Sequence, residues 1–452
     1  MEPFSFILLE LAVIIAMAAL GRGLALRFNQ ASVLGELLIG VLLGNIAYWY
    51  GNPLATVVMH ASDAQNLMDE IWLTGASIHD AAEKIFTTQE LSNGGVPHEL
   101  VNILSGPHTP ELLLMITTLW LFSNLGVIML LFMVGLDNSV SEMVKVGSRS
   151  VAVSIIGVIA PFAIGFLVSD WLLPDAATPT KLFISATLCA TSVGLTARVL
   201  EDLKRNKSKE ARVILGAAVI DDILGLIILA IVIGVVSSGT FQIGEVARIV
   251  LLASVFVAVV LMFGENSVGW LVRQFYKFFN KMQVRLLFPL ALAFLMAAFA
   301  NYIGLAAIVG AFAAGLIVSD NHFGGDKVPS TQELIRPIQS LFAPVFFVLM
   351  GMQVNLQTFL QYETIWLAAA FTIAAIIGKL FSGLPAGKGI DRLSVGIGMI
   401  PRGEVGLIFA SIGKGLGVVN DSVFSAIVIM VIVTTLITPI MLKWSLEAGS
   451  KS

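Results

Sequence analysis

Residues 211–237 read ARVILGAAVIDDILGLIILAIVIGVVS, and the organisation of the chain follows from the two aspartates at the centre of that run. Apart from Arg212 at one end, Asp221 and Asp222 are its only ionisable side chains. A helix of about 20 residues crosses the ~30 Å hydrocarbon core of a bilayer, so a run of this length and composition reads as a membrane span. A charge near the midplane costs several kcal/mol, which makes an intramembrane carboxylate a functional candidate by default.

Comparable runs recur on both sides. The chain has 452 residues, of which 57% are hydrophobic and 12% charged, with mean hydropathy +0.92; soluble domains carry about 25% charged residues. Apolar runs broken by charged or Gly/Pro clusters give thirteen expected spans, at 4–24, 31–50, 112–136, 150–173, 181–200, 211–237, 244–264, 284–302, 304–320, 338–356, 363–384, 392–416 and 421–443. The first has neither a basic leader nor a small-residue cleavage site, so it reads as a span and not a signal peptide. The single cysteine, Cys189, excludes an internal disulfide and a thiolate metal cluster.

Basic residues set the orientation. With the N-terminus outside and the loops alternating, 20 of the 26 Lys and Arg fall on the inner side, among them Arg22, Arg27, Lys204, Arg205, Lys207, Lys277, Lys388 and Arg392. Lys84, Lys181, Arg248 and Lys414 fall outside or at outer ends, and Lys379 and Arg402 lie within spans. A miscounted span would invert every later loop. The expectation is N-terminus out and C-terminus in. Residues 51–111 then form an acidic outer insertion with two amphipathic pieces, near 62–74 and 77–88, read as a surface elaboration or dimer-contact cap, or alternatively as an ion funnel.

Glycine spacing points to an internal repeat. Gly35 and Gly40 in the second span match Gly310 and Gly315 in the ninth, Gly135 ending the third matches Gly351 ending the tenth, and Gly194 in the fifth matches Gly406 in the twelfth. Each partner lies seven spans later, and an odd offset inverts the second copy. Transporter sites form where such repeats meet.

Other charges in apolar runs are few: Lys379, the Arg402/Glu404 pair within Pro401-Arg402-Gly403-Glu404, and Glu36, for which a packing or interface role is expected. Neighbours on a helix point about 100° apart, so Asp221 and Asp222 cannot both face one partner. The economical arrangement sends one to Lys379 and leaves the other in a water-accessible cavity. There it binds a proton or a dehydrated alkali cation, but not both, since each favours the opposite charge state. The alternative is a buried ion pair that only holds the bundle. Spans five and twelve carry Gly with Thr/Ser or Pro at mid-depth, so each is expected to break there, which is tolerated only where backbone lines a cavity. Arg402 and Glu404 would balance the dipoles of the broken ends or form a structural pair; Thr191 and Ser192 offer hydroxyl ligands beside Asp222, or serve as packing hydroxyls. No histidine lies within a placed span, so no metal or proton-relay role is argued for one.

Four stretches then carry a resemblance: Ser32–Gly44, Ala190–Leu200, Asp221-Asp222 and Pro401–Leu407. Together they resemble the cation:proton antiporter-2 family, in particular its NapA-like and GerN-like bacterial sodium/proton antiporters, over nearly the whole chain except 51–111. The resemblance implies an all-α polytopic fold of about thirteen transmembrane helices, NhaA-like, with inverted-topology repeats and two broken, crossing helices. It implies a dimerisation region and a six-helix core that moves like an elevator. Asp222 would be the Na+-binding and proton-binding carboxylate, with Asp221 a secondary ligand paired to Lys379, and Thr191 with Ser192 at the crossover. The chain stops soon after the last span and so is expected to lack the nucleotide-binding domain of Kef-type potassium efflux proteins. Those relatives commonly carry Gln at the first acidic position, so Asp-Asp favours sodium and electrogenic exchange.

The expected organisation is therefore 1–50 as the first two spans and the start of a dimerisation region, 51–111 as the insertion, and 112–237 as the core of the first repeat. Residues 238–283 supply a linking helix and cytoplasmic segment, and 284–446 form the second, inverted repeat. The expected activity is Na+ (Li+)/H+ antiport by a homodimer in the inner (plasma) membrane, without cofactor, enzymatic activity or nucleic acid. K+/H+ antiport on the same machinery is the alternative. An intramembrane aspartyl protease would need its aspartates on separate helices, and a channel would need a continuous filter or charge ring.

Overall fold

Hydrocarbon offers no partner to backbone N–H and C=O groups, so each apolar run must satisfy its own by coiling into a helix. The computed structural model describes residues 3–28, 30–86, 91, 96–106, 109–137, 147–192, 196–197, 200, 205, 208–237, 243–324, 329–359 and 361–449. Every regular element among them is helical. In chain order the main ones are α1 (Pro3–Arg27), α2 (Ser32–Trp49), α3 (Pro53–Met59), α4 (Ala61–Thr74), α5 (Ile78–Ile85), α6 (Val96–Leu104), α7 (Thr109–Asp137), α8 (Ser148–Leu172) and α9 (Thr178–Cys189). There follow α10 (Lys209–Ser237), α11 (Ile243–Phe275), α12 (Lys281–Tyr302), α13 (Ala307–Ile317), α14 (Thr331–Met352), α15 (Tyr362–Ser382), α16 (Arg392–Gly398), α17 (Glu404–Gly415) and α18 (Asp421–Gly449).

Each of the thirteen apolar runs contains at least one of these helices. Among the described residues nine are long and apolar enough to cross a membrane, namely α1, α2, α7, α8, α10, α12, α14, α15 and α18, and α11, bent by 47° next to Met262, makes a tenth. The chain is thus an all-helical, multi-pass membrane protein. The remaining runs give shorter pieces: α13 has 11 residues, α9 stops at Cys189, and the run at 392–416 is split into α16 and α17. In the run at 181–200 the helix gives way at Ala190, which is already extended (φ −57°, ψ 138°), as the Gly and Thr/Ser at mid-depth predict.

Contacts divide the chain into two units. One comprises Met1–Asn124, Pro344–Ala368 and Ala410–Val428; the other Leu125–Ala343, Ala369–Phe409 and Ile429–Ser452. In the first, the 51–111 insertion is more structured than expected. α4 and α5 take the places of the two amphipathic pieces, but α3 and α6 are additional. Asn52 starts α3 by accepting from the N–H groups of Leu54 and Ala55, with Pro53 pre-set for the first turn. Ser77 caps α5 in the same way, and Gly75 ends α4 at φ +68°. Leu54, Val57, Leu67, Ala81, Leu100 and Leu104 from the insertion share one core with Ile14 of α1, Ile116 of α7 and Val348 of α14. The insertion is a layer that shares this core with the span helices. Its helices had apolar faces to bury, and the span helices supply the partner.

The glycines matched by spacing make matching contacts. In the first unit Gly40 of α2 faces Gly351 of α14; a Cβ on Gly351 would lie 2.8 Å from the Gly40 Cα and against the Leu37 carbonyl and Val41 nitrogen. In the second unit Gly135 of α7 faces Gly315 of α13, and a Cβ on Gly315 would lie 2.9 Å from the Gly135 Cα and against the Phe132 carbonyl and Leu136 nitrogen. Each contact involves the same three positions of the facing helix: the glycine, the carbonyl three residues earlier and the nitrogen one residue later. Backbones this close exclude any side chain, as small-residue helix packing in membranes requires. Gly315→Val and Gly351→Val should each lower stability by about 1–3 kcal/mol or more, read as loss of melting temperature in detergent; unchanged melting would show that the helices separate without cost.

Candidate functional site

The second unit holds the aspartates. α10 packs against α8, α9 and α11, and its two carboxylates fall midway along it. Asp221 is 2% exposed and Asp222 8%. Lys379, in the last turn of α15, is fully buried and donates to both Asp221 oxygens at 3.0 Å. A bidentate, desolvated pair of this kind compensates the cost of burial that either charge alone would incur. A small residue allows it: Gly378 brings α15 onto Pro161 of α8, where a Cβ would come within 2.5 Å of the Pro161 Cα, and Gly157 of α8 packs against the pair and against Ser382. Asp222, one residue on and about 100° further around α10, points elsewhere.

The broken runs meet beside one another in the same unit. After α9 the chain extends through Ala190, and after α16 it passes through Met399 and Pro401 before α17 begins. The Ser192 N–H donates to the Pro401 carbonyl (2.8 Å), the Thr196 hydroxyl to the Gly398 carbonyl (2.7 Å) and the Thr191 hydroxyl to the Met399 carbonyl (3.4 Å). Non-helical backbone at this depth thus finds its partners across the crossing.

Arg402, fully buried, ties the crossing together. Its guanidinium donates to the Ile400 carbonyl (3.0 Å) and Met399 carbonyl (3.3 Å), to the Leu188 carbonyl (2.5 Å) in the last turn of α9, and to Ala375 of α15 (3.4 Å). Apart from Ala375, which lies within α15, these are carbonyls that the ends of α9 and α16 leave without helical partners, where the helix dipoles are negative. Of the two readings of Arg402 with Glu404, balance of the broken ends or a structural pair, the four carbonyl contacts agree with the first. Glu404 opens α17, and its side chain lies outside the described residues. The Thr435 hydroxyl of α18 donates to the Arg402 carbonyl (2.5 Å).

The structure therefore joins Asp221 to Lys379, and Thr191, Ser192 and Arg402 to the crossing. Glu36 is buried on α2 and paired to Arg22 of α1 at 2.9 Å, a packing role. Sequence reasoning missed Thr196, Thr435 and the small residues Gly157 and Gly378. Gly378, immediately before Lys379 in an apolar run, was the available signal. Among the described residues no three His, Cys, Asp or Glu side chains converge on a metal-sized space.

The family model for the transmembrane sodium/hydrogen exchanger matches residues 12–448. The chain belongs to the sodium/hydrogen exchanger family. As a member it is a secondary transporter and not an enzyme. It is 35% identical to the high-affinity Na+/H+ antiporter NhaS3 of Synechocystis, with 98% of this chain and 91% of that protein covered. It is also 35% identical to the Na+/H+–K+ antiporter GerN of Bacillus cereus, covering 73% of this chain and 84% of the relative. Among solved structures, the sodium proton antiporter MjNhaP1 of Methanocaldococcus jannaschii superposes with a TM-score of 0.57 over 99% of this chain and 98% of its own, at 16% identity, a likeness of fold.

The Lys379–Asp221 bond is open to a double-mutant cycle. Lys379→Met should cost on the order of 3–5 kcal/mol because it strands the Asp221 charge, and adding Asp221→Asn should recover part of the loss. Strictly additive effects on thermal unfolding would mean that the pair contributes no coupling.

Proposed function

We propose that this family member exchanges Na+ or Li+ for H+ across the plasma membrane, with Asp222 as the carboxylate that holds one or the other. The observation that carries this reading is the division of labour on one turn of α10. Asp221 is held by Lys379 through both oxygens, while Asp222, almost as deeply buried, faces a different direction. A carboxylate in a low-dielectric setting favours either a proton or a cation at its oxygens. Release of one on arrival of the other, with the site exposed to the two faces in turn, is antiport. The names of the relatives, Na+/H+ antiporters at 35% identity, support the same ion pair.

The finer points belong to the same proposal. Thirteen spans, N-terminus outside and C-terminus inside, agree with the charge asymmetry. Inverted repeats agree with the equivalent Gly40–Gly351 and Gly315–Gly135 contacts. Thr191 and Ser192, at the crossing, would complete the cation's oxygen shell, with Asp221 a secondary ligand, while Arg402 and Glu404 balance the broken helix ends. Movement of the site as an elevator, a homodimeric assembly and electrogenic exchange complete the reading. Electrogenicity follows if the carboxylates together release more than one proton for each cation bound.

Everted vesicles or proteoliposomes loaded with a pH-sensitive dye give the test. Na+ and Li+ should each dissipate a proton gradient, and an imposed membrane potential should change the rate. Asp222→Asn should bring the response to background while the protein still purifies as a folded species. Wild-type flux in Asp222→Asn would remove Asp222 from the role, and dequenching by K+ with no response to Na+ would replace the sodium reading by K+/H+ exchange.

A further inference from the structure

Lys414 is a second fully buried lysine, and ion exchange at Asp222 makes no use of it. It lies in the last turn of α17, in the first unit, and is 2% exposed. An ammonium has three N–H donors. Those of Lys414 reach the Met59 carbonyl (3.1 Å), the Gln353 carbonyl (2.9 Å) and Asp421 Oδ1 (2.9 Å), and its Nζ stands 4.7 Å from the centre of the Phe424 ring. Met59 is the last residue of α3, and Gln353 follows the last residue of α14. Both carbonyls therefore sit at the negative ends of helices. Asp421, the first residue of α18, turns its other oxygen towards His60 Nδ1 at 3.5 Å. One cation thus gathers the ends of α3, α14, α17 and α18.

Two features distinguish this cluster from a rivet. The loop between α17 and α18 is short and folded on itself, the Val418 and Val419 N–H groups both donating to the Gly413 carbonyl, so Lys414 and Asp421 belong to one hairpin. If the hairpin moves, the Lys414–Asp421 ion pair moves with it. The neutral bonds to the Met59 and Gln353 carbonyls and the contact between Asp421 and His60 are then among those that break, while the charge of Asp63 acts on Lys414 from the insertion. Asp421 is also 32% exposed at its side chain, so water has access to replace what is lost. The second feature is the shortness of α17, a 12-residue helix with Lys414 in its last turn, so the end of α17 and the hairpin that follows it shift as one piece.

We propose that Lys414 is a positioning residue that latches the outer end of α17 to the 51–111 insertion and to the end of α14, and that the latch opens and closes during the transport cycle. The insertion is then the fixed side of the latch: its α3 presents the Met59 carbonyl, and α3 is held by the core of the first unit through Leu54, Val57 and Val58. The inference rests on the alternating-access reading above. It adds that the relative stability of the two end states is set in part by a bond set remote from Asp222.

Two measurements test it. In everted and right-side-out vesicles, the apparent KM for Na+ should be determined from each face for wild type, Lys414→Met and Lys414→Arg. A latch favours one end state, so Lys414→Met should change the ratio of the two KM values by at least about fivefold, the usual size of a coupling between sites, and Lys414→Arg should return it towards wild type. A residue that only supports the fold would lower maximal rate and melting temperature with the ratio unchanged, and that result in active protein overturns the latch. Hydrogen exchange on the wild-type chain needs no substitution: amides of 54–60 and 415–421 should change protection together on Na+ addition, and should not do so in Asp222→Asn. A flat response of either segment in protein that transports Na+ also overturns the latch. Absence of Na+-driven proton flux in wild type removes the transport reading and the latch with it.

Discussion

A charged group buried among hydrocarbon-facing helices has to be matched on the spot, and the pairing of Lys379 with Asp221 is where that requirement shapes the chain most. Both side chains are within 2% of complete burial, and the two 3.0 Å bonds use both carboxylate oxygens. The match fixes the rotation of α10, because Asp221 must face α15, and so determines the direction of its neighbour Asp222. It also fixes the approach of α15 to α8, which Gly378 makes possible against Pro161. The same requirement explains Arg402: broken helices expose carbonyls, and one guanidinium collects them from the end of α9 and the segment after α16, with a further contact to Ala375 inside α15. Charge in this protein is placed where backbone or carboxylate would otherwise stand unmatched.

Much of the fold was legible because each membrane span is a local property. Length and apolar composition identify a run without reference to anything distant, and each run contains at least one helix. The paired aspartates and the lone lysine were legible for the converse reason, as exceptions to an apolar rule. The glycines matched by spacing, Gly40 with Gly315 and Gly135 with Gly351, sit where close backbone approach tolerates no other residue.

What the sequence did not disclose depends on partners far away in the chain. The break after α9 was expected from the Gly and Thr/Ser beyond Cys189, but its hydrogen-bond partners were not: they are residues 398–401, about 200 positions later. α3 and α6 are only 7 and 9 residues long, too short for periodicity to declare them, and their burial depends on surfaces offered by α1, α7 and α14. Arg402 was noticed as a charge, but its partners are main-chain carbonyls, which leave no mark in a side-chain pattern. Lys414 was passed over as an outer-end residue for the same reason.

The equivalent glycine contacts also bear on how such a chain could arise. If Gly40 corresponds to Gly315 and Gly135 to Gly351, each half meets the other through one pair of positions used reciprocally, as in an isologous dimer. A half-length ancestor could have formed that contact with a second, oppositely inserted copy of itself before the two were joined. Fusion would then have freed each half to diverge, one acquiring the paired aspartates and the other the lysine that answers them.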